Sequence, residues 1–109
     1  RILSIGGEPL DAANGEREPH IIFRSGQAAF ASTVGCNTVN GGYVLDGSSL
    51  TLQPGPMTLM ACPPPLDKIE QAWVQGIASV SEAIVTGPTM ELRNAQGDTI
   101  AFLENVALQ

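Results

Sequence analysis

Two cysteines and one histidine are the side chains of this sequence best suited to chemistry. Cys36 and Cys62 stand 26 positions apart, and His20 is the only imidazole. A cysteine–histidine pair can generate a nucleophilic thiolate, but a lone histidine just ahead of a strand is usually a surface residue. The cysteines fit one disulfide in an oxidising compartment, and they equally fit two buried, reduced thiols. The count leaves both interpretations open, and we predict no catalytic residue.

Metal and nucleotide sites need ligand spacings that this sequence does not contain. Tetrahedral zinc takes about four Cys, His or carboxylate ligands, and no CxxC, HxxxH or HExxH spacing is present. The stretch that begins at Asp46 predicts a hairpin turn rather than a calcium loop. Gly41-Gly42 leads into a strand, whereas a phosphate-binding loop leads into a helix. We therefore expect no metal and no cofactor.

Carboxylates are present, but they are not arranged for acid–base catalysis. Glu8, Asp11, Glu16 and Glu18 form an acidic N-terminal segment, with Arg17 between them. The simplest interpretation is a solvated loop, and the alternative is a contact with a cation or a partner. The chain is accordingly predicted not to be an enzyme.

Composition excludes several classes of protein. The 109 residues carry a net charge of −6, with 5 Lys and Arg against 11 Asp and Glu, so a basic nucleic-acid-binding face is not expected. Charged residues make up 15% and apolar residues 43%, which is not the highly charged, weakly apolar composition of disordered chains. No apolar run approaches the roughly 18 residues of a transmembrane helix. One globular domain is the expectation.

Turn residues recur about every 8–12 residues, a spacing typical of a mostly-β domain. The turn signals are Gly6-Gly7, Asn14-Gly15, Ser25-Gly26, Asn40-Gly41-Gly42, Asp46-Gly47, Gly87-Pro88 and Gln96-Gly97-Asp98. Arg1–Ile5 is predicted to be an opening strand. His20–Arg24 and Gln27–Ser32 are predicted to pair as a hairpin through the two-residue turn Ser25-Gly26.

Two further hairpins are predicted where apolar residues alternate on both sides of a turn. One lies around Asp46-Gly47 and the other around Gly97. The alternating residues are Tyr43, Leu45, Leu50 and Leu52 in the first, and Met90, Leu92, Ile100 and Phe102 in the second.

One segment, Leu66–Val80, has helical rather than strand periodicity. Its apolar residues recur at steps of 3, 4, 4 and 3: Leu66, Ile69, Trp73, Ile77 and Val80. Pro63-Pro64-Pro65 precedes it, where proline suits a helix entrance. Asp67 and Glu70 stand three apart, which fits a capping arrangement. Gly76 costs helix stability, so we expect close packing there, and we assign Trp73 to the core rather than to a binding site.

Two stretches are more specific than these patterns. Val34–Tyr43 contains Gly-Cys-Asn and then Gly-Gly-Tyr, and Met57–Pro63 contains Thr-Leu-Met-Ala-Cys-Pro ahead of a helix with Glu70-Gln-Ala-Trp73. In this order they resemble the META domain family, which includes the bacterial heat-shock protein HslJ. The matching residues are Gly35, Cys36, Asn37, Gly41, Tyr43, Thr58, Met60, Cys62, Glu70 and Trp73.

The resemblance implies a fold and a domain extent. It implies a mainly β protein with one α-helix, namely a small, strongly bent antiparallel sheet or β-barrel of lipocalin-like topology with a helix packed on it. Residues 1–109 would form a single META-like domain excised from or processed out of a longer chain, because the Trp that opens the family pattern would fall just before Arg1.

The physical chemistry of the motif residues favours structural roles. Gly35 would let the chain bend as a strand ends, and Asn37 would hydrogen-bond its own backbone in a turn. Met57 and Met60 would be flexible gap-fillers. With the family in view we favour a Cys36–Cys62 disulfide, which would fix the helix entrance to the Gly-Cys-Asn turn.

No established enzymatic activity accompanies the family, so the leading expectation is a non-catalytic module of the bacterial cell envelope. It would lie in the periplasm or at the outer membrane, with a lipid anchor upstream, and serve stress or antibiotic response through protein interaction or structural support. We expect a monomer with an unknown protein partner, no nucleic acid and no membrane span. The alternatives are a small-ligand carrier barrel and a thiol redox protein that uses Cys36 and Cys62.

Overall fold

The computed structural model describes residues 1–10, 19–58 and 60–105. These residues form nine strands and one helix. The elements are β1 (Ile2–Ile5), β2 (Glu8–Pro9), β3 (His20–Arg24), β4 (Ala29–Thr33), β5 (Thr38–Asp46), β6 (Ser49–Met57), α1 (Leu66–Ile77), β7 (Val80–Thr86), β8 (Thr89–Asn94) and β9 (Thr99–Glu104). Asp11, Glu16, Arg17 and Glu18 of the acidic segment, and the Asn14-Gly15 turn signal, lie outside the described residues.

The described strands form a single antiparallel sheet in the order β2-β1-β9-β8-β7-β6-β5-β4-β3. The sheet curls strongly into a half-barrel, and α1 packs on it. The link between β6 and β7 is slight, with one residue pair, Ser49 with Glu82, and a hydrogen bond from the Ala83 amide to the Ser48 carbonyl at 2.8 Å. The fold class that the family resemblance implied is confirmed.

The hairpin between β3 and β4 exists, but its predicted two-residue turn is wrong. Four residues, 25–28, connect the strands, and β4 begins at Ala29 rather than at Gln27. Ala28 takes the left-handed conformation, with φ at 50°, and its carbonyl accepts the Tyr43 amide at 2.9 Å. This contact with β5 extends the turn beyond Gly26. The position of the glycine alone therefore does not locate the turn correctly.

The other two predicted hairpins are confirmed. Gly47-Ser48 joins β5 to β6, with Gly47 at φ 63°. The turn with Gly97 joins β8 to β9, where Leu92 pairs with the buried Ala101. Phe102 lies between the buried Ala101 and Leu103 in β9 and is partly exposed on the other face.

The predicted helix is present but ends at Ile77, three residues before Val80. Ser79 closes it by donating its amide and its hydroxyl to the Gly76 carbonyl, at 3.0 and 2.7 Å. Val80 is buried as the first residue of β7, which explains why it continued the apolar pattern. The sequence pattern does not predict strand β7, because Val80, its first residue, continues the helical spacing.

The core lies between α1 and the inner face of the curled sheet. Its fully buried side chains include Trp73 and Ile77 from the helix and Phe30 and Leu92 from the sheet, which confirms the core assignment of Trp73. A Cβ on Gly76 would stand 3.0 Å from the Ile100 side chain, so the expected close packing is confirmed. Within the described residues, no helix has the length and apolarity that a bilayer span requires.

Candidate functional site

The motif residues converge where β4 ends and β5 begins. Gly35 has φ 121°, a conformation that side chains disfavour, and its amide donates to the Thr33 hydroxyl at 3.0 Å. The chain therefore turns sharply here and places Asn37 against the segment that runs from β6 to α1.

Asn37 binds that segment with its whole side chain, which is only 5% exposed. Its Oδ1 accepts hydrogen bonds from the Thr58 hydroxyl at 3.0 Å and from the Met60 amide at 2.7 Å. Its Nδ2 donates to the Met60 carbonyl at 3.1 Å and to Glu70 Oε2 at 2.8 Å. The predicted bond from Asn37 to its own turn is therefore replaced by bonds to residues 21 to 33 positions away.

Backbone and hydroxyl groups extend the same contact. The Asn37 amide donates to Glu70 Oε1 at 2.7 Å. The Thr38 amide donates to the Thr58 hydroxyl at 3.0 Å, and the Thr58 amide donates to the Thr38 carbonyl at 3.1 Å. Thr58 thus continues the β5–β6 pairing to the place where α1 approaches.

A disulfide joins Cys36 to Cys62 beside these bonds, with 6.0 Å between the Cα atoms. Cys36 is buried and Cys62 is partly exposed, directly ahead of the Pro63-Pro64-Pro65 helix entrance. We call Cys36, Asn37, Thr58, Met60, Cys62 and Glu70 the Asn37 cluster. It connects the β4–β5 turn, the segment after β6 and the first turns of α1.

With the disulfide formed, the groups of the Asn37 cluster bind one another, so the cluster has a structural role and acts as a brace. The amide of the Asn37 side chain has both of its polar atoms engaged, and the sulfurs of Cys36 and Cys62 are bonded to each other. A disulfide sulfur carries no thiol proton, so Cys36 does not present a thiolate to His20. The cluster holds three segments together and buries its polar groups with partners, as stability requires.

Two roles expected from the sequence differ in the structure. The side chain of Met60 is 57% exposed and fills no gap, and Met60 contributes through its backbone instead. Among the described residues no side chain caps α1: Asp67 accepts a bond from the Lys68 amide, and Glu70 turns to Asn37. The capping prediction is therefore wrong, because the Asn37 amides compete for the Glu70 carboxylate.

Gly41 and Tyr43 lie along β5, beyond the Asn37 cluster. A Cβ on Gly41 would stand 2.2 Å from the Gln53 carbonyl oxygen and 2.8 Å from the Phe30 ring, so no side chain fits there. The Tyr43 ring meets Phe23 edge to face, with centroids 5.2 Å apart. Both residues shape the inner face of the half-barrel.

Trp73 links the helix to the edge of the sheet. Its indole Nε1 donates to the Ser32 hydroxyl at 2.9 Å, and that hydroxyl donates to the His20 carbonyl at 2.8 Å. This relay gives the buried indole the polar partner that tryptophan normally needs.

A cleft of about 230 Å³ opens on the sheet between β3 and the β7–β8–β9 strands. Its apolar wall includes Phe23, Met90 and Leu103, and its rim carries the Arg1–Glu104 ion pair at 3.1 Å. Phe23 pairs with the buried Phe30 across β3 and β4, so both side chains lie on the inner face of the sheet. The cleft therefore continues the interior of the half-barrel.

A polar group on β8 and β9 was not found from the sequence. Arg93 donates to Glu91 at 2.8 and 3.1 Å, and the Thr99 hydroxyl donates to Glu91 Oε2. The bond from the Arg93 guanidinium, followed by that from Thr99, lowers the pKa of the Glu91 carboxyl. The i, i+2 spacing of Glu91 and Arg93 signals a shared strand face, but the position of Thr99 depends on hairpin register.

Two solved structures share the fold. A DUF4847 family protein from Bacteroides vulgatus aligns with a TM-score of 0.67 at 11% identity, over 84% of this chain and 61% of its own. A protein from Burkholderia xenovorans solved by NMR aligns with a TM-score of 0.67 at 24% identity, over 92% of this chain and 72% of its own. This chain thus spans about three fifths of the DUF4847 structure.

No curated protein matches the sequence. The family model described as the META domain matches residues 1–107, nearly the whole chain. With the Gly-Cys-Asn turn, the Cys36–Cys62 disulfide and the helix glutamate all in place, the chain belongs to the META domain family.

Proposed function

We propose that this chain is a non-catalytic module of the bacterial cell envelope that acts through protein interaction or structural support. The observation that carries the proposal is the Asn37 cluster, in which the disulfide and the buried polar bonds join the same three segments. A fold braced in this way suits a compartment that keeps cysteines oxidised, such as the periplasm. The family resemblance extends the proposal to stress or antibiotic response.

The interaction part of the proposal is supported by apolar side chains on the surface. Val44, Leu45 and Val85 are each more than half exposed. Val85 lines the cleft, where an exposed apolar side chain can contribute to a contact site for another molecule.

Cell fractionation tests the location. The full-length gene product, tagged at its C-terminus in its native bacterium, should be recovered with the periplasmic or outer-membrane fraction. Recovery in the cytoplasmic fraction would contradict the envelope assignment.

Photo-cross-linking tests the interaction. A photoreactive residue at Val85, and in a separate strain at Val44, should give a discrete adduct from at least one position in living cells. Asp67, an exposed position on α1, serves as the control. The absence of an adduct from both test positions would leave structural support as the surviving form of the proposal.

The cleft favours a second candidate function, a carrier of small apolar ligands. Its size suits a short chain or a single ring rather than a large ligand, because drug-sized sites measure roughly 300–1,000 Å³. Titration with short-chain fatty acids, followed by NMR, should shift the Phe23 and Met90 side-chain signals and leave the exposed Met60 methyl unmoved. Equal shifts at all three would contradict a specific site.

A further inference from the structure

We propose that reduction of the Cys36–Cys62 disulfide turns part of the Asn37 cluster into a site for a transition-metal dication such as Zn²⁺. The ligands would be the two cysteine thiolates and the Glu70 carboxylate. One ligand atom from each of these three residues already lies within 4.8 Å of the others. The inference is independent of the proposed function, which concerns the oxidised protein.

The distances fit a tetrahedral metal. Cys62 Sγ lies 3.5 Å from Glu70 Oε2, and zinc bonds of about 2.3 Å to sulfur and 2.1 Å to oxygen place two such ligands about 3.6 Å apart. Only the two sulfurs need to move, since two zinc-bound sulfurs stand about 3.8 Å apart. Rotation of the freed thiols can supply that separation from Cα atoms that are 6.0 Å apart.

Asn37 already provides the outer shell that such sites use. Its backbone amide and its Nδ2 hold the two oxygens of Glu70 at 2.7 and 2.8 Å, and each oxygen keeps a further lone pair for a metal. The same Nδ2 lies 3.3 Å from Cys62 Sγ, and because its two N–H groups already bind Met60 and Glu70, a thiolate there would share one of those protons in a three-centre bond. Residues that orient metal ligands in this way raise metal affinity.

The solvent exposure of the ligands and their number also fit a metal site. Cys62 and Glu70 are partly exposed, while Cys36 is buried. A metal held by three protein ligands on this side keeps a fourth position for water, as in open zinc sites. The sequence did not predict zinc because no CxxC, HxxxH or HExxH spacing is present, yet the fold brings together ligands that stand 26 and 8 positions apart.

The chemistry balances with a dithiol as reductant. The dithiol supplies two electrons and two protons, the Cys36–Cys62 bond breaks into two thiols, and the dithiol becomes a disulfide. Each thiol then releases its proton to solvent as its sulfur binds the metal, so affinity should rise with pH.

Cobalt titration tests the site. The protein is reduced with dithiothreitol, freed of it under anaerobic conditions, checked by circular dichroism and titrated with Co²⁺. We expect one equivalent to produce thiolate-to-cobalt charge-transfer and tetrahedral ligand-field absorption, and Zn²⁺ to displace it. The oxidised protein should produce neither band. A folded, reduced protein without these bands would overturn the proposal, as would a reduced chain that is unfolded and that metal does not refold.

Two comparisons distinguish metal binding at this site from metal binding by two cysteines on a flexible chain. Glu70→Gln keeps an acceptor for Asn37 and should weaken Zn²⁺ binding by roughly tenfold or more, whereas Glu82→Gln, a partly buried carboxylate outside the cluster, should not change it. Binding by the reduced wild-type chain should also weaken in urea. Equal affinity in Glu70→Gln and wild type, or in the folded and urea-unfolded chain, would show that the cysteines bind metal without the site.

Discussion

At the residue scale, Asn37 makes bonds that need both an acceptor and a donor on one short side chain. Its side chain accepts two hydrogen bonds at Oδ1 and donates at Nδ2 to Met60 and Glu70. An aspartate has the same shape but no donor, and an alanine has neither group. An amide is therefore required at position 37, and the short asparagine side chain places it within reach of these partners.

Replacing this donor with a charge should destabilise the protein. Asn37→Asp loses both Nδ2 bonds and faces the Glu70 carboxylate with a like charge, so we expect a loss of about 3 kcal/mol in unfolding free energy near pH 8. Urea denaturation measures it. Asn40→Asp, at an exposed position on the adjoining strand β5, is the control; equal losses at positions 37 and 40 would contradict this role of Asn37.

Gly41 offers a second test at this scale, with its neighbour as the control. Gly41→Ala places a methyl against the Gln53 carbonyl and the Phe30 ring, so we expect a loss of about 3 kcal/mol in unfolding free energy. At Gly42 the nearest atom would be 3.5 Å away, and Gly42→Ala should change stability by no more than about 0.5 kcal/mol. Thermal or urea unfolding of both variants decides, and similar values would rule out the tight β5–β6 contact.

At the element scale, the hairpins that the sequence predicts correctly each depend on one local feature of the chain. The β5–β6 and β8–β9 hairpins followed from alternation around glycines that take positive φ, at Gly47 and Gly97. The β3–β4 turn did not, because its left-handed residue is Ala28. The end of α1 was misplaced because Val80 serves the core from a strand, and helical spacing cannot distinguish that use.

In the candidate site, too, some features could be predicted from the sequence and others depend on the tertiary fold. The motif residues and the disulfide could be named from the sequence through the family pattern. The partners of Asn37 could not, because they come from three segments whose proximity is a property of the tertiary fold. The Glu91 group was missed for the same reason, since Thr99 reaches it across a hairpin.

The Glu91 group predicts a pH dependence. Its folded-state pKa is lowered by Arg93 and Thr99, so the ionised carboxylate stabilises the fold above its unfolded pKa, and that contribution is lost as pH falls through the folded pKa. Glu91→Gln should therefore be less stable than wild type at neutral pH, with a difference that shrinks in acid. Glu8→Gln, exposed in β2, is the control. A difference from wild type that stays constant from pH 7 to pH 3, measured by thermal unfolding, would contradict this assignment.

At the scale of the whole molecule, the disulfide closes a loop that contains all of β5 and β6. The sheet is weakly joined between β6 and β7, with one paired position. Covalent attachment of the β4–β5 turn to the entrance of α1 therefore holds the two halves of the sheet to the same helix. We infer that the disulfide contributes more to the stability of this half-barrel than it would to a barrel whose strands are all fully paired.

Removing the brace should be costly. The paired change Cys36→Ser with Cys62→Ser should lower the unfolding free energy by about 3–4 kcal/mol, as expected for a loop of this length. Urea denaturation with and without reductant measures it, and reductant should destabilise the wild type but leave the double variant unchanged. A loss below about 1 kcal/mol would show that the loop is held without the disulfide.

We propose that this META domain is a disulfide-braced module of an oxidising cell envelope. Thiol trapping in the native bacterium tests it most directly: cells are quenched in acid, the denatured full-length protein is alkylated with a mass-shifting maleimide, and the cysteines at positions 36 and 62 are counted. We expect that neither cysteine is modified before reduction and that both are modified after it. Two modified thiols in the unreduced sample would contradict both the brace and the compartment.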